Sequence, residues 1–229
     1  KINVNYSYYE SDLNAVSRSQ SSYFLADTSY RTVDSVDLKE RTKSHRINLA
    51  YKTKLDSLTS IEIKPSFRFD AATDSSSTRN SFFGEDSNQS LQTNIFNSND
   101  SKGFSSESEF RIIRKFKKPK RELKAEYYLK TSDNETESSL ENTSNYYLPN
   151  PSDSLIEQDK TNENQSVNQS GILTYTEPIS KYLKLQVEYL YQNNKSTQEI
   201  FAKDRLNNNV PINDLSNNFD NVRIQNRGT

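Results

Sequence analysis

A side-chain period of two, recurring in separate stretches, constrains this chain more than any other feature. Ile2, Val4, Tyr6 and Tyr8 alternate with Lys1, Asn3, Asn5 and Ser7. Ile61, Ile63, Pro65, Phe67 and Phe69 alternate with Glu62, Lys64, Ser66 and Arg68. Leu123, Ala125, Tyr127 and Leu129 alternate with Glu122, Lys124, Glu126, Tyr128 and Lys130. Leu183, Leu185, Val187, Tyr189 and Tyr191 alternate with Lys184, Gln186, Glu188, Leu190 and Gln192. Successive side chains of a strand point to opposite faces, so each stretch reads as a strand with one dry and one wet face. His45, Ile47, Leu49 and Tyr51, then Phe110, Ile112 and Phe116, then Leu173 and Tyr175, keep the same habit. Residues 219–229 open one more strand. The sequence predicts an all-β chain of about eight antiparallel, up-and-down strands.

The connections alternate in length. Short turns fall at 55–58, 117–120 and 177–181, and between them run the polar segments 71–103, 132–165 and 193–218. These segments read as long loops, all on one side of the sheet. Long loops without structure of their own are uncommon in compact domains and are usually functional or disordered.

Composition then becomes decisive. Hydrophobic residues are 31%, mean hydropathy is -0.99, and the chain holds 34 Ser and 26 Asn. A soluble domain is roughly 45–50% apolar. The shortfall fits a wall that needs apolar residues on one face only, with a wet face opposite. A transmembrane barrel has short periplasmic turns, long extracellular loops, and an apolar band bordered by aromatic girdles. The outward-running strands carry aliphatic residues first and aromatics last: Ile2 and Val4 before Tyr6 and Tyr8, Ile61 and Ile63 before Phe67 and Phe69, Leu185 and Val187 before Tyr189 and Tyr191. We therefore expect residues 1–229 to be one partial domain of an antiparallel transmembrane β-barrel. Pro65 cannot donate to a ladder, so a bulge or an unpaired position is expected there. Two alternatives share parts of the pattern: a soluble or secreted β-sheet adhesion module with one solvated face, and a largely disordered surface segment.

One hairpin is more specific. Thr174-Tyr175-Thr176-Glu177-Pro178-Ile179-Ser180-Lys181, followed by Leu183-Lys184-Leu185, resembles the outer-membrane β-barrel proteins of the Bacteroidota that are related to TonB-dependent receptors. Residues 118–123 and 55–61 look like weaker versions of the same hairpin. The resemblance implies a large barrel of which this chain is an interior section, in the bacterial outer membrane, admitting a bulky solute such as an iron chelate, glycan or peptide. It also implies partners: outer-membrane lipid, the remaining strands and plug of the same barrel, an energising inner-membrane complex and a surface lipoprotein. The family's signal peptide, its carboxypeptidase-regulatory-like domain, its plug and its TonB-contacting segment have no counterpart in these residues. There is no Met at position 1, and a section of a longer or processed protein is expected.

Other chemistries find little material. With no Cys there is no thiol nucleophile or zinc-thiolate set, and the single His45 is expected to be a surface or interfacial residue rather than a catalytic one. Thirty basic residues against 31 acidic ones give no field for nucleic acid. Asp133-Asn134-Glu135 is a weak hint of Ca²⁺ ligation, lacking the regular spacing and turn glycine. No catalytic, metal or cofactor residue is assigned, and no enzymatic activity is expected. The aromatic pairs Tyr23-Phe24, Phe82-Phe83 and Tyr146-Tyr147 stand in the polar segments as candidate ligand contacts, or as the packing of a loop cap.

Overall fold

The structure, a computed structural model, describes residues 1–26 and 28–228. It is a single antiparallel sheet of nine strands: β1 (Ile2–Phe24), β2 (Ser29–Lys54), β3 (Thr59–Phe83), β4 (Gln89–Lys115), β5 (Glu122–Tyr146), β6 (Ser152–Pro178), β7 (Lys184–Asp204), the two-residue β8 (Val210–Pro211) and β9 (Asn217–Gly228). Strands β1 to β7 pair in chain order, and β7 then pairs both β8 and β9. A one-turn 3-10 helix (Asn213–Leu215) lies between β8 and β9. Thr229, the end of the expected last strand, lies outside the described residues. Among the described residues β1 and β9 do not pair with each other, so the sheet has two open edges and is not a closed barrel.

The expected strands are all present, but β1 to β7 are each far longer than their apolar stretches. Segments 71–103, 132–165 and 193–218 are not long loops: most of their residues belong to β3 and β4, β5 and β6, and β7 and β9. The connections are short, at 84–88, 147–151 and 205–216, the last containing β8 and the 3-10 helix. A strand is held by backbone hydrogen bonds, which a run of Ser, Thr and Asn makes as well as a run of Val; only Gly and Pro punctuate it strongly. Pro119, Pro149 and Pro151 sit in turns, Pro178 at a strand end, and Pro211 in β8, while Gly84 opens the β3–β4 turn. The polar segments lack breakers elsewhere except for Gly103, so the strands run on through them. Gly103 faces Asn134 across the ladder, and a Cβ there would meet the Asn134 side-chain oxygen at 2.6 Å.

The register is unusually regular. Across the β1–β2 pair every rung holds from Ile2↔Tyr51 to Phe24↔Ser29 without a bulge. The β2–β3 ladder lapses only at Leu49 and Ala50, opposite Pro65 and Lys64, and resumes in the same register at Tyr51↔Ile63. This is the unpaired position that Pro65 requires. The single irregularity of β3–β4 lies at its tip, between Phe82 and Phe83. Only Ala202 is a buried apolar residue among the described residues, so no core of the globular kind lies on either face.

A proline scan separates strand from loop in the polar half. Ser138→Pro, in the middle of β5, is expected to lower the denaturation midpoint and the strand signal in circular dichroism. Glu85→Pro should leave both unchanged, because Glu85 occupies the second position of a turn closed by Ser87 N–H donating to the Gly84 carbonyl, where proline is favoured. Equal tolerance at both sites would mean that the polar half is not paired.

Candidate functional site

Because the rungs run unbroken, the face of every side chain follows from its position. The even residues of β1 share one face with Tyr51, Leu49, Ile47 and His45 of β2, and with the odd residues of β3, the even ones of β4, and the odd ones of β5, β6 and β7. This face, called outer below, carries an apolar band confined to the end of the sheet with the turns at 55–58, 116–121 and 179–183. The band comprises Ile2, Val4, Tyr6 and Tyr8 on β1, residues 61–69 on β3, 123–129 on β5 and 185–191 on β7, alternate residues only. Among the described residues no other element packs on it: Ile2 is 70% exposed, and Leu185 and Tyr189 are each 49% exposed. Beyond the band both faces are mostly polar, with scattered apolar residues such as Val16 and Phe96.

The band does not follow the rungs. Asn5, the centre of the run on β1, aligns through Asn48, Ser66, Glu107, Lys130 and Asn168 with Asn194 of β7. The centres of the runs on β3, β5 and β7 are Pro65, Glu126 and Glu188, which lie one, four and six residues nearer the short turns than that rung. The band thus drifts by about one residue per strand, which at ~3.3 Å per residue and ~4.8 Å between strands inclines it by about 35° to the rungs.

The opposite, inner face carries charge where the outer face is apolar, and the signs alternate across the rungs. Glu62, Arg111 and Glu126 form one rung, and Arg111 lies 3.3 Å from Glu62, 2.7 Å from Glu126 and 2.9 Å from Glu109. Lys64 lies 3.3 Å from Glu62 and 3.5 Å from Glu109, and Lys124 2.7 Å from Glu126. Lys130 pairs with Glu107 at 2.6 Å. Cross-strand opposite charges support a sheet, and Arg111 is the hub. This hub is visible only once the register is known. Farther along, the inner face carries mainly hydroxyl and amide side chains, with in-register contacts such as Ser132 to Ser166 at 2.8 Å and Ser101 to Thr136 at 3.0 Å.

The short turns are tied by carboxylates. Asp56 accepts hydrogen bonds from the Leu58 and Thr59 backbone N–H groups and lies 2.7 Å from Arg114, which also contacts Thr59. The Leu58 N–H first, then the Thr59 hydroxyl and Arg114, pull its carboxyl down to about 2. Glu177, of the hairpin that carries the family resemblance, is gripped by Arg121 and Lys118 from the neighbouring turn and by the Tyr175 hydroxyl, which also brings it to about 2. At the other border of the band, Glu10 is lowered to about 2 by the Tyr8 hydroxyl and then Arg41. His45 sits among the border aromatics, with Tyr6 Oη 2.8 Å from its Nδ1 and the Tyr8 ring 4.8 Å away.

The six candidate contact aromatics gather at the far tips of the sheet, but most are strand residues. Tyr23 and Phe24 end β1, Phe82 and Phe83 end β3, Tyr146 ends β5, and Tyr147 begins the following connection. Strand geometry splits the first two pairs. Tyr23, Phe82 and Tyr146 point to the inner face, Phe24 and Phe83 to the outer one. Tyr23 stacks on Tyr30 with ring centroids 4.6 Å apart, and Arg31 lies over Phe83 at 4.4 Å. Tyr30 and Arg31 mirror Tyr23 and Ser22 about the hairpin centre, a relation that hydropathy alone does not signal. Asp133, Asn134 and Glu135 do not converge as an oxygen cage, since Asn134 faces away from the other two. No protein-family model matches the chain, and no curated protein matches it.

Asp56 gives a pH test. Its carboxyl titrates near 3.8 when free and near 2 in the turn, so its contribution is present above pH 3.8 and is lost as pH falls through 2. The denaturation midpoint of Asp56→Asn should lie below the parent's at pH 5–7, and the two should converge near pH 2. A constant gap across that range would remove the carboxylate from the account.

Proposed function

We propose that this chain is part of the wall of an outer-membrane β-barrel of the receptor and transporter type, serving uptake of a bulky solute. The observation that carries the reading is the drift of the apolar band. Barrel strands tilt by 35–45° to the barrel axis, so an apolar belt lying level in a bilayer must cross successive strands at a fixed stagger. A drift of about one residue per strand is that stagger. The nine-residue run of β3 (61–69) spans ~30 Å along the strand and ~24 Å after a 35° tilt, close to the ~25 Å apolar height of such barrels. The aromatics at its border suit the headgroup level.

The rest follows in role. The charged inner face, with its signs compensated, suits a polar lumen occupied by other protein rather than a strongly charge-selective pore. The three short turns would face the periplasm and the long polar half the exterior. Solute would first meet the far tips, where Tyr23, Phe82 and Tyr146 face inward. The remaining strands and plug of the same barrel, an inner-membrane energising complex and a surface lipoprotein are the partners this role needs; the residues in hand break no bonds.

A charge pair tests the reading. Val187 lies beside the centre of the β7 run on the outer face, and Gln186 is its inward neighbour. Val187→Arg should cost about 2–4 kcal/mol in a bilayer and sharply lower membrane-inserted yield. Gln186→Arg should be nearly silent. If Val187→Arg is silent and the protein stays in the aqueous phase on detergent partition, the soluble adhesion module replaces the membrane wall.

A further inference from the structure

The edge of β1 holds a second piece of information, in its backbone. Lys1 and Lys52 exchange both hydrogen bonds, with Lys52 N–H donating to the Lys1 carbonyl at 2.9 Å and the Lys1 amino group to the Lys52 carbonyl at 2.7 Å. At the other end Leu25 N–H donates to the Thr28 carbonyl at 2.9 Å. Bonded and non-bonded pairs alternate in an antiparallel ladder, and this ladder has no bulge between those two points. The odd residues of β1 therefore turn their N–H and C=O groups toward β2, and the even residues from Ile2 to Phe24 turn theirs to the open edge. Ile2, Val4, Tyr6 and Tyr8 are also the outer-face residues of the apolar band. Their free backbone groups lie in the stretch where no water would satisfy them, a large cost for each group.

We infer that the whole length of β1 is an interaction surface for one further strand of the same wall, antiparallel to β1 and running toward the short-turn end. This rests on the membrane-wall reading above. The stagger specifies the partner: its outer-face apolar run is centred opposite Tyr6, one residue beyond the centre of the run on β1, and it is polar on both faces past Glu10. β9 of a second copy is the alternative occupant of this edge.

Amide hydrogen exchange on the full-length protein in bilayers tests the edge beyond the band, where lipid cannot protect it. The probes are Asn14, Val16 and Arg18, with Leu13, Ala15 and Ser17 as internal controls bonded to β2. An occupied edge slows both sets alike, by about 100-fold or more relative to unpaired amides. Free exchange at the even residues beside protected odd ones would overturn the inference. So would an Asn14→Cys cross-link to Val222→Cys of a differently labelled copy. Either result would leave the Val187→Arg outcome standing, so failure of the edge and failure of the membrane reading are distinguishable.

Discussion

The backbone ladder is what everything else in this molecule depends on. Seven adjacent pairings of long strands carry nearly every described residue, and the register along each is almost free of slips. With a side-chain period of two, one slipped residue would exchange the two faces of a strand. The apolar band, the charge network around Arg111 and the sign alternation of its rungs all require that no such slip occurs. Pro65 shows how the constraint is met under stress. Two positions of the ladder are given up, and the register on either side is kept.

Alternation made the strands near the short turns legible, along with their directions and their faces, since there one side of the sheet is dry. It failed at about the ninth residue of each strand. Beyond Tyr8 or Phe69 both faces are mostly polar and the few apolar residues keep no period, so Ser-rich pairing looks like loop. The information was present in another form. Pro149 and Pro151 mark the 147–151 connection, and the absence of proline from 71–103 argues for continuous strands there. The candidate site was legible only as a list of residue types. Tyr23 and Tyr30 meet because they are symmetric about a hairpin, and Glu62, Arg111 and Glu126 meet because three strands are in register. Neither relation can be seen without the pairing.

Polar interactions here are placed by height rather than gathered into one pocket. Carboxylates held by turn N–H groups and by cations fasten the short-turn end at Asp56 and Glu177. Compensated charges line the inner face behind the apolar band, and hydroxyl and amide contacts take over farther out. Exposed single pairs contribute little by themselves. The Arg111 cluster joins three strands and is only partly exposed, so it is the better candidate for fixing local register.

The long polar halves leave the far hairpins unusually free to change. A residue pair added at a tip, one on each strand, lengthens the hairpin without shifting any position near Leu185 or Ile63 to the other face. Insertions in multiples of two at 84–88 or 147–151 are therefore nearly neutral for the fold, while a lone insertion within 61–69 or 185–191 is not. Across descendants of this chain, length variation should pile up at one margin of the sheet. The opposite margin should keep its spacing even where its residues are exchanged.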